Sequence, residues 1–149
     1  MRKKLNFKKL ILTIAIPLIL GLIVGLISKN HDWYFKPKLT PPDIVFPIVW
    51  TILYILLGLS YYLIPIKTEK VKKRYIINLA INLLWPIIFF NFQWFLVAFL
   101  WIILLDISLI LMMAEFYKEN KTSFYLNIPY LLWSLFATYL TFETFLLNR

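Results

Sequence analysis

The sequence predicts an all-α membrane protein, a bundle of five transmembrane helices with the N-terminus in the cytoplasm and the C-terminus outside. Three observations carry this. Of 149 residues, 62% are hydrophobic and only 15% charged, whereas a soluble domain is nearer half apolar and a quarter charged. The apolar residues fall into five runs of 18 to 23 residues, close to the ~20 needed to cross hydrocarbon at ~1.5 Å per residue. The basic residues gather at the ends of those runs, mostly on one side.

The runs predict helices over 10–27, 44–64, 75–92, 94–114 and 125–147, with an outer lid loop over 28–43, in one domain spanning 1–149. Helices are the open element that can span a bilayer, because backbone groups in lipid must be paired within the segment. The first run follows Arg2, Lys3, Lys4, Lys8 and Lys9. It is longer than a signal-peptide core and no small-x-small site follows it, so it reads as an uncleaved helix. The second run opens on Pro41-Pro42-Asp43, where prolines favour a helix start and Asp43 is placed to cap the first-turn amides. The third and fourth runs are joined by residues 91–93, a connection short enough to make them antiparallel neighbours. Alternate connections carry twelve basic residues on the N-terminal side and four on the other, which gives the orientation. The sequence has no internal repeat of the kind many secondary transporters show.

Several function classes drop out. The net charge of +9 belongs to membrane flanks rather than to a nucleic-acid surface. With no cysteine and one histidine, His31, the chain has no disulfide, thiolate chemistry or multi-histidine metal site. His31, in the first loop, reads as a solvated side chain in preference to an axial iron ligand. No nucleophile–base pair or phosphate loop is evident.

Three helices present mixed aromatic and polar stripes. Phe46, Trp50 and Tyr54, continued by Gly58 and Tyr61, share a face of the second helix. Asn78, Asn82, Trp85 and Phe89 share one on the third, and Tyr130, Trp133, Ala137 and Leu140 one on the fifth. Trp50, Trp85 and Trp133 sit inside their runs rather than at the interfacial belts. Such walls suit a large, flat, mostly apolar ligand, and helix packing is the competing reading. Asn82 needs a partner in hydrocarbon and so should face the interior, toward another helix or a ligand edge. Asp106, in mid-span, is a functional candidate by position. It is expected to bond hydroxyls or amides such as Asn78, Asn82 or Ser108, and a proton relay is the alternative. Gly21-x-x-x-Gly25 is a small-residue face for close helix approach within or between chains.

These blocks resemble the translocator protein family, also called tryptophan-rich sensory proteins or peripheral benzodiazepine receptors. The resemblance rests on Trp33-Tyr34, Lys36-Pro37, Pro41-Pro42, Phe46, Val49-Trp50 and Leu53-Tyr54. It continues through Asn82, Trp85, Phe89 and Phe90, through Pro129-Tyr130, Trp133 and Phe136-Ala137, and through Asp106. Departures from the family pattern are Leu39, Thr141 and a short spacer between Trp33 and Lys36, and the tail has no sterol motif.

The resemblance implies a ligand pocket under the first loop of a homodimeric five-helix protein. It implies protoporphyrin IX or a haem-like tetrapyrrole as ligand, with no cofactor required, and isoquinoline carboxamide or benzodiazepine-type drugs as possible ligands. The ligand-binding residues it points to, together with the stripes, are Tyr34, Pro41, Phe46, Trp50, Tyr54, Asn82, Trp85, Phe89, Phe90, Asp106, Trp133 and Ala137. A sensing or porphyrin-handling role is expected. The alternatives are light-dependent porphyrin degradation, with Trp50 and Trp133 as the catalytic rings, and transport of porphyrins or other hydrophobic ligands. The lipid bilayer is the expected surrounding partner, and no nucleic acid is expected. The composition suits a bacterial plasma membrane, with a mitochondrial outer membrane as the eukaryotic alternative.

Overall fold

In the computed structural model, which describes residues 5–28 and 34–149, the chain is helical and no strand occurs among the described residues. The helices are α1 Phe7–Ile27, α2 Val45–Tyr62, α3 Glu69–Pro86, α4 Phe95–Glu119, α5 Lys121–Leu126 and α6 Ile128–Asn148. The α3 helix runs on into a π-turn at Ile87–Asn91. Counting α3 with that turn and α5 with α6, five helical segments among the described residues are long and apolar enough to cross a membrane. His31 and Trp33 lie outside the described residues.

The helix ends follow local chemistry rather than the edges of the apolar runs. Thr68 caps α3 by accepting from the Val71 amide at 3.2 Å, so the helix begins at Glu69, ahead of its apolar run. The α4 helix likewise extends to Glu119, and Lys70 crosses from α3 to pair with Glu115 at 3.2 Å. Asn120 caps α5 through the Thr122 amide at 2.8 Å. Asp43 does not cap α2: its helix start has no side-chain cap bond. Asp43 turns instead to Lys36, 3.6 Å away, and the turn is closed by the Val45 amide on the Pro42 carbonyl at 2.9 Å.

The α4 helix packs between α3 and α6, while α1 lies mainly against α2. One line of hydrogen bonds ties the interior together. The Tyr54 hydroxyl of α2 donates to Asn82 Oδ1 of α3 at 2.6 Å. Asn82 Nδ2 donates to the Tyr130 hydroxyl of α6 at 2.7 Å. The Tyr130 hydroxyl donates to Asn78 Oδ1 at 3.0 Å, and Asn78 Nδ2 donates to Ser108 Oγ of α4 at 3.0 Å. Ser108 ends the line on the Leu105 carbonyl at 2.8 Å. All five side chains are buried. In hydrocarbon there is no water to take over a broken link, so each group depends on the next.

Two further polar clusters fix α6. Asp106 of α4 accepts from Ser134, and from Thr138 Oγ1 at 2.6 Å. Its partners are therefore hydroxyls, as expected, but they come from α6 rather than from Asn78, Asn82 or Ser108. Near the start of α6, Ser123 Oγ donates to the Ser60 carbonyl at 2.7 Å and Asn127 Nδ2 to Ser60 Oγ at 2.9 Å.

The α1 helix takes no part in the central line, and Pro17 is its buried residue. It is held to α2 by close backbone approach. A Cβ on Gly58 would stand 2.6 Å from Ile14 Cα, so no larger residue fits there without moving α1. Gly58, which shares the aromatic stripe of α2, thus serves the contact between α1 and α2.

The central line predicts an ordering of stabilities. Asn82→Ala leaves the Tyr54 hydroxyl without its acceptor and takes from the Tyr130 hydroxyl its donor, whereas Tyr54→Phe removes a single terminal bond. Asn82→Ala should cost about 2 kcal/mol and Tyr54→Phe about 0.6 kcal/mol. Thermal unfolding in one detergent checks this, and equal losses would contradict the line as drawn.

Candidate functional site

The site is a cavity of about 710 Å³ at the loop end of the bundle. This lies within the usual ~300–1,000 Å³ of ligand pockets. Its walls come from α1, α2, the end of α3 with its π-turn, and α6, and the loop residues Tyr34, Lys36, Pro37, Thr40 and Asp43 close one end. The α4 helix contributes no lining residue and backs the opposite side of α3 and α6.

The spacing of α2 puts Phe46, Trp50 and Tyr54 on the cavity, one turn apart. Trp50 stacks on Tyr54 with ring centroids 5.7 Å apart. The end of α3 supplies Trp85, Phe89 and Phe90. Trp85 and Phe89 stack at 5.1 Å. Pro86 offers no amide, and past it the Phe92 amide reaches back to the Ile87 carbonyl at 3.2 Å. That wider turn carries the consecutive residues Phe89 and Phe90 into the same cavity. Ala137 keeps the α6 wall low, beside Leu140, Thr141 and Thr144.

Among the described residues, Tyr34 and Phe35 fasten the loop. Tyr34 packs edge-on to Phe89 at 5.9 Å and against Phe95 at 5.4 Å. Asn148, in the last turn of α6, accepts from the Phe35 amide at 2.9 Å and donates to the Phe35 carbonyl at 2.8 Å. One side chain thus satisfies both backbone groups of Phe35, as a neighbouring strand would. The Lys36 ammonium lies 5.7 Å over the Tyr34 ring while pairing with Asp43.

Of the residues expected from the sequence, Tyr34, Phe46, Trp50, Tyr54, Trp85, Phe89, Phe90 and Ala137 line the cavity. Four others stand elsewhere. Pro41 is outside the lining, and its neighbours Pro37 and Thr40 take the place in the loop. Asn82 sits behind the wall, both amide atoms engaged by Tyr54 and Tyr130. Asp106 lies at the junction of α4 and α6. Trp133 packs on Phe46 at 5.8 Å, behind that lining residue.

Sequence reasoning missed the α1 wall, where Leu18, Gly21, Leu22, Gly25 and Leu26 line the cavity. The Gly21-x-x-x-Gly25 spacing was the available signal. A Cβ on Gly21 would lie 2.6 Å from Tyr54 Cδ2, so that glycine makes room for the tyrosine ring within the chain.

In chemical terms the site offers stacked aromatic faces, few polar groups among the described residues and the Lys36–Asp43 ion pair at its mouth. No group of three potential metal-ligating side chains occurs among the described residues. The arrangement suits holding a flat apolar body with one polar edge.

Fold and site together define a five-span α-helical membrane protein with an aromatic-lined cavity under its first loop. Comparison with known proteins gives the family. Residues 13–147 match the model of the TspO/MBR family. The chain is 36% identical to the tryptophan-rich protein TspO of Archaeoglobus fulgidus, over 97% of this chain and 99% of the relative. It is 37% identical to the protein of the same name from Chlorobaculum tepidum, over 94% and 98%. A tryptophan-rich sensory protein of Cereibacter sphaeroides is 31% identical over 83% and 82%. The chain belongs to the TspO/MBR family and is an integral membrane protein.

The loop clamp has a direct readout. Asn148→Ala removes the acceptor of the Phe35 amide, so exchange of that amide should speed up by roughly fivefold, the worth of one hydrogen bond of ~1 kcal/mol. Hydrogen exchange of the protein in detergent checks this, and an unchanged Phe35 rate would show that Asn148 does not hold the loop.

Proposed function

We propose that this protein binds a tetrapyrrole, with protoporphyrin IX as the representative ligand, in the cavity under its first loop, in a sensing or porphyrin-handling role. The observation that carries this is the cavity of about 710 Å³ walled by Trp50, Tyr54, Trp85, Phe89 and Phe90. Flat rings from two helices supply stacking area at little entropic cost, since aromatic side chains have few rotatable bonds. The Lys36–Asp43 pair at the mouth offers charge to a polar edge of the ligand. The naming of a relative as a tryptophan-rich sensory protein supports the sensing role. Isoquinoline carboxamide and benzodiazepine-type drugs, flat and apolar, fit the same chemistry.

The setting we propose is a bacterial plasma membrane, with the N-terminus in the cytoplasm and the loop outside, as the basic residues favour. Homodimerisation belongs to the same reading, and the exposed apolar side chains of α1 offer surface for it.

One observation favours a second reading, light-driven porphyrin degradation. Trp50 lines the cavity and stacks on Tyr54, whose hydroxyl is hydrogen-bonded to Asn82. An excited ligand against Trp50 would have an oxidisable ring in contact, with a second behind it. Trp133 would then act at one remove, through Phe46.

Binding is tested by titrating protoporphyrin IX and following tryptophan quenching. Trp50→Leu should weaken binding about tenfold, the loss of one ~1.4 kcal/mol stacking contact. Trp133→Phe should stay within about twofold, because Phe preserves the ring contact with Phe46. Undiminished binding by Trp50→Leu would sink the assignment.

A further inference from the structure

We propose that the cavity takes its ligand sideways, out of the bilayer leaflet on the loop side, through a window between the loop-end halves of α1 and α2. This rests on the cavity being the binding site.

Three glycines trace the separation of the two helices. At Gly58, an added Cβ would meet the backbone of α1, 2.6 Å from Ile14 Cα. At Gly21 it would meet the Tyr54 side chain, 2.6 Å from Cδ2, rather than backbone. At Gly25, one turn nearer the loop, no atom of the described residues lies within 4 Å. The helices touch backbone to backbone at one end and part toward the other.

The margins of the gap are marked by residues that both line the cavity and face outward. On α1 these are Leu22 and Leu26, 63% and 72% exposed. On α2 they are Pro47 and Thr51, also exposed. The far wall is shut by contrast: Trp85, Phe89, Ala137 and Leu140 are buried. Leu22, Leu26 and Pro47 make the window apolar, so it opens to hydrocarbon rather than to water.

The α1 helix is also the least buried of the spans among the described residues. It contributes nothing to the line from Tyr54 to Ser108, and Pro17 alone among its residues is buried. Swinging its loop end breaks no buried polar bond of that line. The window selects for molecules already dissolved in the membrane: a flat apolar body small enough to pass between two helices, with a polar edge that stays at headgroup level near Lys36 and Asp43.

The test uses the full chain in lipid vesicles, protoporphyrin IX as probe and stopped-flow tryptophan quenching. Gly25→Ala, Gly25→Leu and Gly25→Phe fill the gap in steps. A narrowed passage raises the barrier in both directions, so association and dissociation should both slow, reaching about tenfold in Gly25→Phe. At fixed total probe, the wild-type association rate should follow the probe's mole fraction in the membrane. Two results would overturn the window. One is a graded series that changes dissociation alone or neither rate. The other is acceleration of both rates by Asn148→Ala, which frees the loop, with no effect of Gly25→Phe. Entry would then be under the loop. Absence of saturable quenching in the wild type is a different failure, that of the binding site itself.

Discussion

The structure depends on a line of hydrogen bonds from Tyr54 through Asn82, Tyr130 and Asn78 to Ser108. The hydrophobic effect does not drive helices together in lipid, because the lipid tails are as apolar as the helix surfaces, and close packing and interhelical hydrogen bonds take its place. Buried polar groups, which find partners only on neighbouring helices, fix the relative positions. This line joins α2, α3, α6 and α4 at one level, and the Asp106 cluster adds a second tie between α4 and α6. Four spans are thereby set relative to one another.

The cavity follows from what the line leaves out. Its first member, Tyr54, is also a wall residue, so the polar line starts where the aromatic cavity ends. Beyond that point α2, α3 and α6 are held apart by ring-sized side chains rather than drawn together by hydrogen bonds. The α1 helix, outside the line, closes the side that remains and rests on α2 through Gly58. The loop closes the end, and Asn148 joins it to α6. A rigid wall, a less restrained helix and a fastened loop are what a binding cavity that must still admit its ligand requires.

Much of this was legible in the sequence because bilayer physics leaves few options. Five apolar runs gave the five spans, and the need of Asn82 for an interior partner was met by Tyr54 and Tyr130. The helix ends were less legible. Lys70, Lys72, Lys73 and Arg74 interrupt hydropathy without interrupting helix, and Thr68 sets the true start of α3. Helical periodicity identified the face of Trp133 but not its depth, since Phe46 intervenes. Asp43 carried a capping signature, yet Lys36 offered a charged partner that no local rule foresees. Gly21 and Gly25 read as a packing motif. Their place on the cavity depends on which helix lies opposite, and spacing alone does not specify that.

The most direct test of the account is an experimental structure of the protein in a lipid nanodisc with protoporphyrin IX bound. The account predicts the macrocycle inside the cavity, in contact with Trp50 and Trp85, with its carboxylate edge toward Lys36. A macrocycle seated elsewhere would contradict it, most pointedly in the shallow groove of about 330 Å³ formed by Gln93, Trp94, Phe145 and Arg149.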